Sequence, residues 1–216
     1  MKLSEYIDHT GLKPDLSKEQ VIKLCNEAKE HEFAAVVVNS YYVGLVAQQL
    51  KGTKVKVASV VGFPLGACTT ATKVFETEDA IRDGADEIDM VINIGALKDK
   101  DYDVVRNDIQ SVITAARDKA TVKVIIESCL LRDDEIVKVC EICVDAGADY
   151  VKTSTGFSTG GATLEAISLM KRTIKDKAYI KASGGIRTYE DAISFINAGA
   201  DRIGTSNGVV IVEGNR

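Results

Sequence analysis

The tripeptide Gly-Ala-Asp occurs three times, at 84–86, 147–149 and 199–201, each time after an amphipathic run and before a short apolar one. Glycine suits the left-handed position that closes a helix, so each copy reads as a turn from helix into strand. A chain that repeats this turn is assembled from alternating helices and strands, which build parallel sheets.

Eight short runs are strand candidates: YIDHT, AAVVVN, VKVASVVG, EIDMVINIG, VKVIIES, YVKTST, YIKAS and DRIGTS, the first being the weakest. Their near-continuous apolar character fits parallel strands covered on both faces. Helix starts are legible between them. SKEQ at 17–20 and TYED at 188–191 match capping boxes. After Asp101, one helical face carries Val105, Ile109, Val112 and Ala116; after Thr163, another carries Ile167, Met170 and Ile174. There is no low-complexity segment or linker.

Alternating strands and helices allow an open doubly wound sheet or a closed (β/α)8 barrel. An open sheet usually holds its phosphate site in the first strand-to-helix turn. Here the glycine-rich turns come late. Eight units in 216 residues therefore predict a single (β/α)8 TIM barrel over residues 1–216, compact for its kind, with a short last helix.

The formal charge of -5 lacks the basic surplus of a nucleic-acid binder. The opening MKLSEYIDHT has no apolar run of signal-peptide type, and no segment has the length of a membrane span. A cytoplasmic protein is the expectation. Its five cysteines, an odd number, argue against a disulfide framework. Cys140 and Cys143 form a C-x-x-C, but they share a helical stripe with Ile136 and Gly147, so core packing is expected. His9 and His31 are the only histidines, and neither has ligand spacing, so no metal is expected.

The repeat supplies a register. Three residues beyond each Gly-Ala-Asp aspartate stand Asp89, Lys152 and Gly204. If the turns are equivalent, these residues share a depth and a face of their strands. Lys181 is third in YIKAS, as Lys152 is third in YVKTST. Neither surface of a barrel strand welcomes an ammonium without a polar partner. A buried ion pair with no chemical task is the plain alternative. Two lysines on adjacent strands, in step with a carboxylate, point instead to amine chemistry. Burial and a neighbouring cation lower a lysine pKa and free the amine to attack a carbonyl. Asp89 can shuttle protons. The spacing does not say which amine is the nucleophile.

The late glycines complete the pattern. SGGIR at 183–187 and IGTSNG at 203–208 follow the last two strands, where barrels frequently hold a phosphate on backbone N–H groups. STGFSTGG at 154–161 adds a third loop able to close over substrate.

EIDMVINIG, YVKTSTGF, IKASGGIR and RIGTS, in this order, with DHTGLKP and VGFPLG, closely resemble deoxyribose-phosphate aldolase. The likeness covers essentially the whole chain. It implies a class I aldolase that interconverts 2-deoxy-D-ribose 5-phosphate with D-glyceraldehyde 3-phosphate and acetaldehyde, without a cofactor. It assigns the Schiff base to Lys152, the second catalytic lysine to Lys181 and the proton relay to Asp89. Substrate and phosphate contacts fall on Gly156, Gly184, Gly185, Gly204 and Ser206, with Asp8 and Thr10 as polar positions near the site. It also implies a small phosphorylated sugar as ligand, no nucleic-acid or membrane partner, and a homo-oligomer, most simply a dimer. The chain departs from some relatives in three places: Phe157 replaces a lysine, Val37 replaces a cysteine, and the terminal VVIVEGNR lacks a tyrosine. Arg187 or the backbone must then serve the phosphate, and Lys181, Asp89 and water must protonate the enamine. The readings that compete are a sugar-phosphate isomerase, which would not need Lys152, and a non-catalytic phosphate-binding barrel.

Overall fold

The computed structural model describes residues 2–214, so the end of VVIVEGNR lies outside them. Eight parallel strands close on themselves in chain order. They are β1 (Ile7–Gly11), β2 (Ala35–Val38), β3 (Lys56–Val61), β4 (Glu87–Val91), β5 (Thr121–Ile125), β6 (Tyr150–Lys152), β7 (Tyr179–Ser183) and β8 (Arg202–Thr205). Outside run α1 (Lys18–His31), α2 (Val43–Leu50), α3 (Thr70–Arg82), α4 (Ile94–Lys98), α5 (Tyr102–Ala116), α6 (Asp133–Ala146), α7 (Leu164–Ile174), α8 (Tyr189–Asn197) and α9 (Gly208–Glu213). The expected (β/α)8 barrel is present, and the weak candidate YIDHT is its first strand.

The local signals act as their chemistry requires. Ser17 with Gln20 and Thr188 with Asp191 form capping boxes. Gly84, Gly147 and Gly199 all take positive φ, between 85° and 114°, which lets each helix reverse into the next strand. The aspartates of the same turns do further work. Asp86, Asp149 and Asp201 each accept a backbone N–H from the strand that begins next door: Val57, Val122 and Ile180 respectively, at 2.8–2.9 Å. The Gly-Ala-Asp repeat is thus a turn and a strand clamp in one.

The outer core lies between the sheet and the helices, and it includes the buried stripes of α5 and α7. Cys140 and Cys143 are buried in it, where burial raises both thiol pKa values, that of Cys140 to about 12. These are inert packing thiols.

The register fixes the layers inside the barrel. Asp89 pairs with Lys123 and Lys123 with Tyr150; Lys152 is two residues further along β6. Lys152 pairs with Lys181 and Lys181 with Arg202; Gly204 is two further. Gly204 pairs with Asp8 and Asp8 with Ala35; Val37 is two further. Val37 pairs with Ala58 and Ala58 with Glu87, two short of Asp89. The circuit closes with a stagger of eight residues, the shear of this barrel type, whose layers take four residues from alternate strands. Asp89, Lys152, Gly204 and Val37 form one such layer. Asp8, Ala58, Lys123 and Lys181 form the layer beneath, and Ala35, Glu87, Tyr150 and Arg202 the next.

Candidate active site

The register argument from the sequence holds for Asp89, Lys152 and Gly204. Lys181 differs: although third in its strand, it lies directly across the ladder from Lys152 and therefore one layer lower. That displacement brings its amine under Asp89. Lys152 Nζ and Lys181 Nζ reach the same oxygen, Asp89 Oδ2, at 2.7 and 2.8 Å. Gly204 faces this point. A side-chain carbon there would collide with Ser183 Oγ and press within 3.0 Å of Lys181 Cε, so only glycine leaves the amine its room.

Three more charged residues enter that the sequence reading passed over. Lys123 Nζ bonds Asp89 Oδ1 at 2.9 Å and Glu87 Oε2 at 2.6 Å. Arg202 Nη2 bonds Asp8 Oδ1 at 2.5 Å and Glu87 Oε2 at 3.0 Å. Asp8 Oδ2 in turn lies 2.5 Å from Lys181 Nζ. Lys123 stands second in the run VKVIIES and no Gly-Ala-Asp precedes it to set its depth; only the observed start of β5 at Thr121 makes it third in its strand, like Asp89 and Lys152. Thr10 lies above Asp8 on β1, and its hydroxyl donates to the Asp8 carbonyl at 2.9 Å.

The lumen therefore holds four cations and three carboxylates, and the pairing is uneven. Lys123, Lys181 and Arg202 each touch two carboxylates. Lys152 touches only Asp89, which it shares with two other amines. The titration behaviour follows. Burial would raise the Asp89 pKa, but Lys123, Lys152 and Lys181 together hold it well below the usual carboxylate range. Asp8 is likewise held low against its burial by Lys181 and Arg202. Burial would lower Lys123, but Asp89, Glu87 and Asp8 raise it. Lys152 goes the other way. Burial first, then Lys181 and Lys123, outweigh Asp89 and bring it down to about 8. At pH 7 such an amine is neutral about one time in ten, against about one in 3,000 for an ordinary lysine. Of the three lumen lysines it alone keeps any solvent exposure, 3% against 0% for Lys123 and Lys181.

Above these layers the loops after β6, β7 and β8 meet. Ala162 N–H donates to the carbonyls of Ser183 and Gly184, at 3.0 and 3.1 Å. The two loops touch so closely that a side-chain carbon on Gly161 would collide with the Gly184 backbone. Thr205 Oγ donates to the Ile186 carbonyl at 2.8 Å and ties the β8 end to the β7 loop. Gly156, Gly184 and Gly185 all have positive φ, between 83° and 89°. Gly156, Gly185 and Ser206 are exposed. Beneath them, the hydroxyls of Ser154 and Ser183 are buried without a hydrogen-bond partner among the described residues. Buried unpaired hydroxyls beside open glycine turns are groups that a ligand can satisfy. The Arg187 side chain is exposed, and its backbone N–H is taken by Asp191.

Across the lumen the lining is apolar. Leu12, Ala35, Val37, Ala58 and Val60 form a separate cluster against which Phe63 packs. Phe63 meets Phe157 edge-on at 5.3 Å, so the two rings join the β3 and β6 loops over the mouth. Among the described residues no group of three or more His, Cys, Asp or Glu is placed to hold a metal ion, and no helix is long and apolar enough to cross a membrane.

A family model described as DeoC/LacD family aldolase matches residues 3–212. A deoxyribose-phosphate aldolase of Streptococcus suis is 61% identical over 214 residues, covering 99% of this chain and 97% of that protein. One from Clostridium tetani is 58% identical over 213 residues, 99% of each chain. Among solved structures, the deoxyribose phosphate aldolase of Aeropyrum pernix, described as having a unique tetrameric structure, superposes with a TM-score of 0.92 at 34% identity, covering 98% of this chain and 89% of that one.

Proposed function

The chain belongs to the DeoC/LacD family of aldolases, and from that premise we propose that it cleaves 2-deoxy-D-ribose 5-phosphate reversibly to D-glyceraldehyde 3-phosphate and acetaldehyde, with Lys152 as the Schiff-base lysine. The observation that carries the assignment is the uneven pairing in the lumen. Lys152 is the one amine short of carboxylates, depressed to about 8, and the least enclosed of the three lumen lysines.

In this mechanism the neutral Lys152 amine attacks the aldehyde carbon of the open-chain sugar, and the carbinolamine loses water to give an iminium. Asp89, working through a water with Lys181, takes the proton of the C3 hydroxyl. The electrons of that O–H bond form the new carbonyl, and the C2–C3 pair moves onto C2 as the iminium becomes an enamine. Glyceraldehyde 3-phosphate leaves. The enamine is protonated at C2 and hydrolysed, returning Lys152 and releasing acetaldehyde. Asp89 is strongly acidic at rest, so it holds a proton only briefly before passing it on, which suits a relay.

The phosphate is received at the loops after β6, β7 and β8, by Gly156, Gly184, Gly185 and Ser206, with the free hydroxyls of Ser154 and Ser183 in support; Gly204, expected among these contacts, lies inside β8 at the level of Lys152 and instead leaves room for the Lys181 amine. Asp8 anchors Lys181 from within the same layer, and Thr10 lines the mouth above it. We also propose a cytoplasmic protein, in keeping with five unpaired cysteines. A homo-oligomer, most simply a dimer, completes the proposal; light scattering on the purified protein reads its state.

A coupled assay for glyceraldehyde 3-phosphate tests the reaction. The wild type should release it from 2-deoxyribose 5-phosphate and lose that activity on borohydride reduction in the presence of acetaldehyde. Interconversion of a sugar phosphate without cleavage, unaffected by reduction, would show an isomerase instead.

A further inference from the structure

Glu127 follows β5 at the mouth of the barrel and takes no part in the mechanism above. Two features make it costly. Its backbone is left-handed, φ 52° and ψ 61°, a conformation that costs a non-glycine residue about 1–3 kcal/mol and clusters at functional sites. Its carboxylate is only 2% exposed, yet its partners are neutral: Thr155 N–H at 3.2 Å, Thr155 Oγ at 2.5 Å and, more distantly, Cys129 Sγ at 3.9 Å. A buried carboxylate without a cation is an expensive arrangement.

What the carboxylate holds is the loop beyond Lys152. Thr155 gives Glu127 both its N–H and its hydroxyl proton, and Thr155 Oγ accepts the N–H of Phe157 at 3.0 Å. Gly156, with φ of 84°, is strung between these two fixed points. The backbone of 126–128 also runs beside the start of the loop: Ile126 N–H bonds the Lys152 carbonyl at 3.0 Å and Ser128 N–H the Thr153 carbonyl at 2.8 Å. One side chain therefore sets residues 155–157 relative to the nucleophile's own strand.

We propose that Glu127 is a positioning residue for substrate binding: through Thr155 it fixes the Gly156 turn in the arrangement that receives the phosphate. The inference rests on the phosphate reading given above. Glutamine can reproduce the pattern, because its carbonyl accepts Thr155 N–H and its amide donates to Thr155 Oγ, which keeps a lone pair for Phe157. Alanine cannot.

The test compares 2-deoxyribose 5-phosphate with unphosphorylated 2-deoxyribose in wild type, Glu127→Ala, Glu127→Gln and Thr155→Val. Losing a hydrogen bond to a charged group should raise KM for the phosphorylated sugar about 10-fold or more in Glu127→Ala and Thr155→Val. On 2-deoxyribose the same variants should lose less than about threefold in kcat/KM, and Glu127→Gln should restore KM for the phosphorylated sugar. Equal losses on both sugars, or no change in KM, would overturn the proposal. If Glu127→Ala does not fold, Thr155→Val decides. Borohydride trapping of acetaldehyde on Lys152 should persist in every variant. Its absence from the wild type would mean that the aldolase reading had failed, not this one.

Discussion

Two buried lysines, Lys73 and Lys152, sit in the same molecule in opposite circumstances. Lys73, on α3, lies between that helix, β4 and α5. Its Nζ bonds Asp108 Oδ2 at 2.5 Å and the Val91 carbonyl at 2.8 Å. Asp108 is completed by the Thr70 hydroxyl at 2.9 Å. The cation meets one carboxylate and one carbonyl, the carboxylate gains one hydroxyl, and the account closes locally. Lys152 meets one carboxylate that two other amines also claim. In the proposed mechanism burial alone does not free the amine; a deficit of partners adds to it, and the charges that create this deficit come from six strands.

The largest effects should separate these roles. Lys152→Ala should reduce turnover by roughly 10⁴-fold or more while the protein stays folded by circular dichroism. Lys73→Met should do the reverse. It leaves Asp108 buried without its cation, so chemical denaturation should show a loss of about 3–5 kcal/mol, while the folded fraction keeps its turnover. A smaller effect tests the source of the deficit. Protonated Lys152 cannot attack, so kcat/KM should rise with pH up to about 8 and level off above it. Lys181→Met removes a neighbouring cation and should move this midpoint upward by about one unit, along with a drop in rate. An unchanged profile between about pH 6 and 9 would remove Lys181 from the electrostatic scheme. The smallest expectation is a null. Lys73→Met should leave the midpoint in place within about 0.3 of a unit, because the two pairs share no partner.

The sequence exposed what repeats and hid what is made by closure. The apolar runs gave the strand count, and the Gly-Ala-Asp turns gave the depth of Asp89, Lys152 and Gly204, since each turn starts its strand at an equivalent point. Lys181 was found from its place in its strand, but its layer was not, because the stagger of the barrel lowers it relative to Lys152. Lys123, Glu87 and Arg202 were missed for the same reason: each gains its meaning from a partner one or more strands away. The distinction between the two lysines of the site came from a family motif, and the geometry now supplies a physical cause. Glu127 left no periodic trace, since a strained backbone and a buried carboxylate are visible only in three dimensions. Lys73 stood in an amphipathic helix, where nothing in the spacing marks a burial that depends on Asp108 of another helix.

The central claim is that the shortage of carboxylates selects Lys152 from three buried amines. Reduction of the wild type with borohydride and acetaldehyde at pH 7, followed by peptide mapping by mass, tests it directly. The account predicts one added ethyl group per chain, on Lys152. An ethyl group on Lys181 or Lys123 in its place would contradict it.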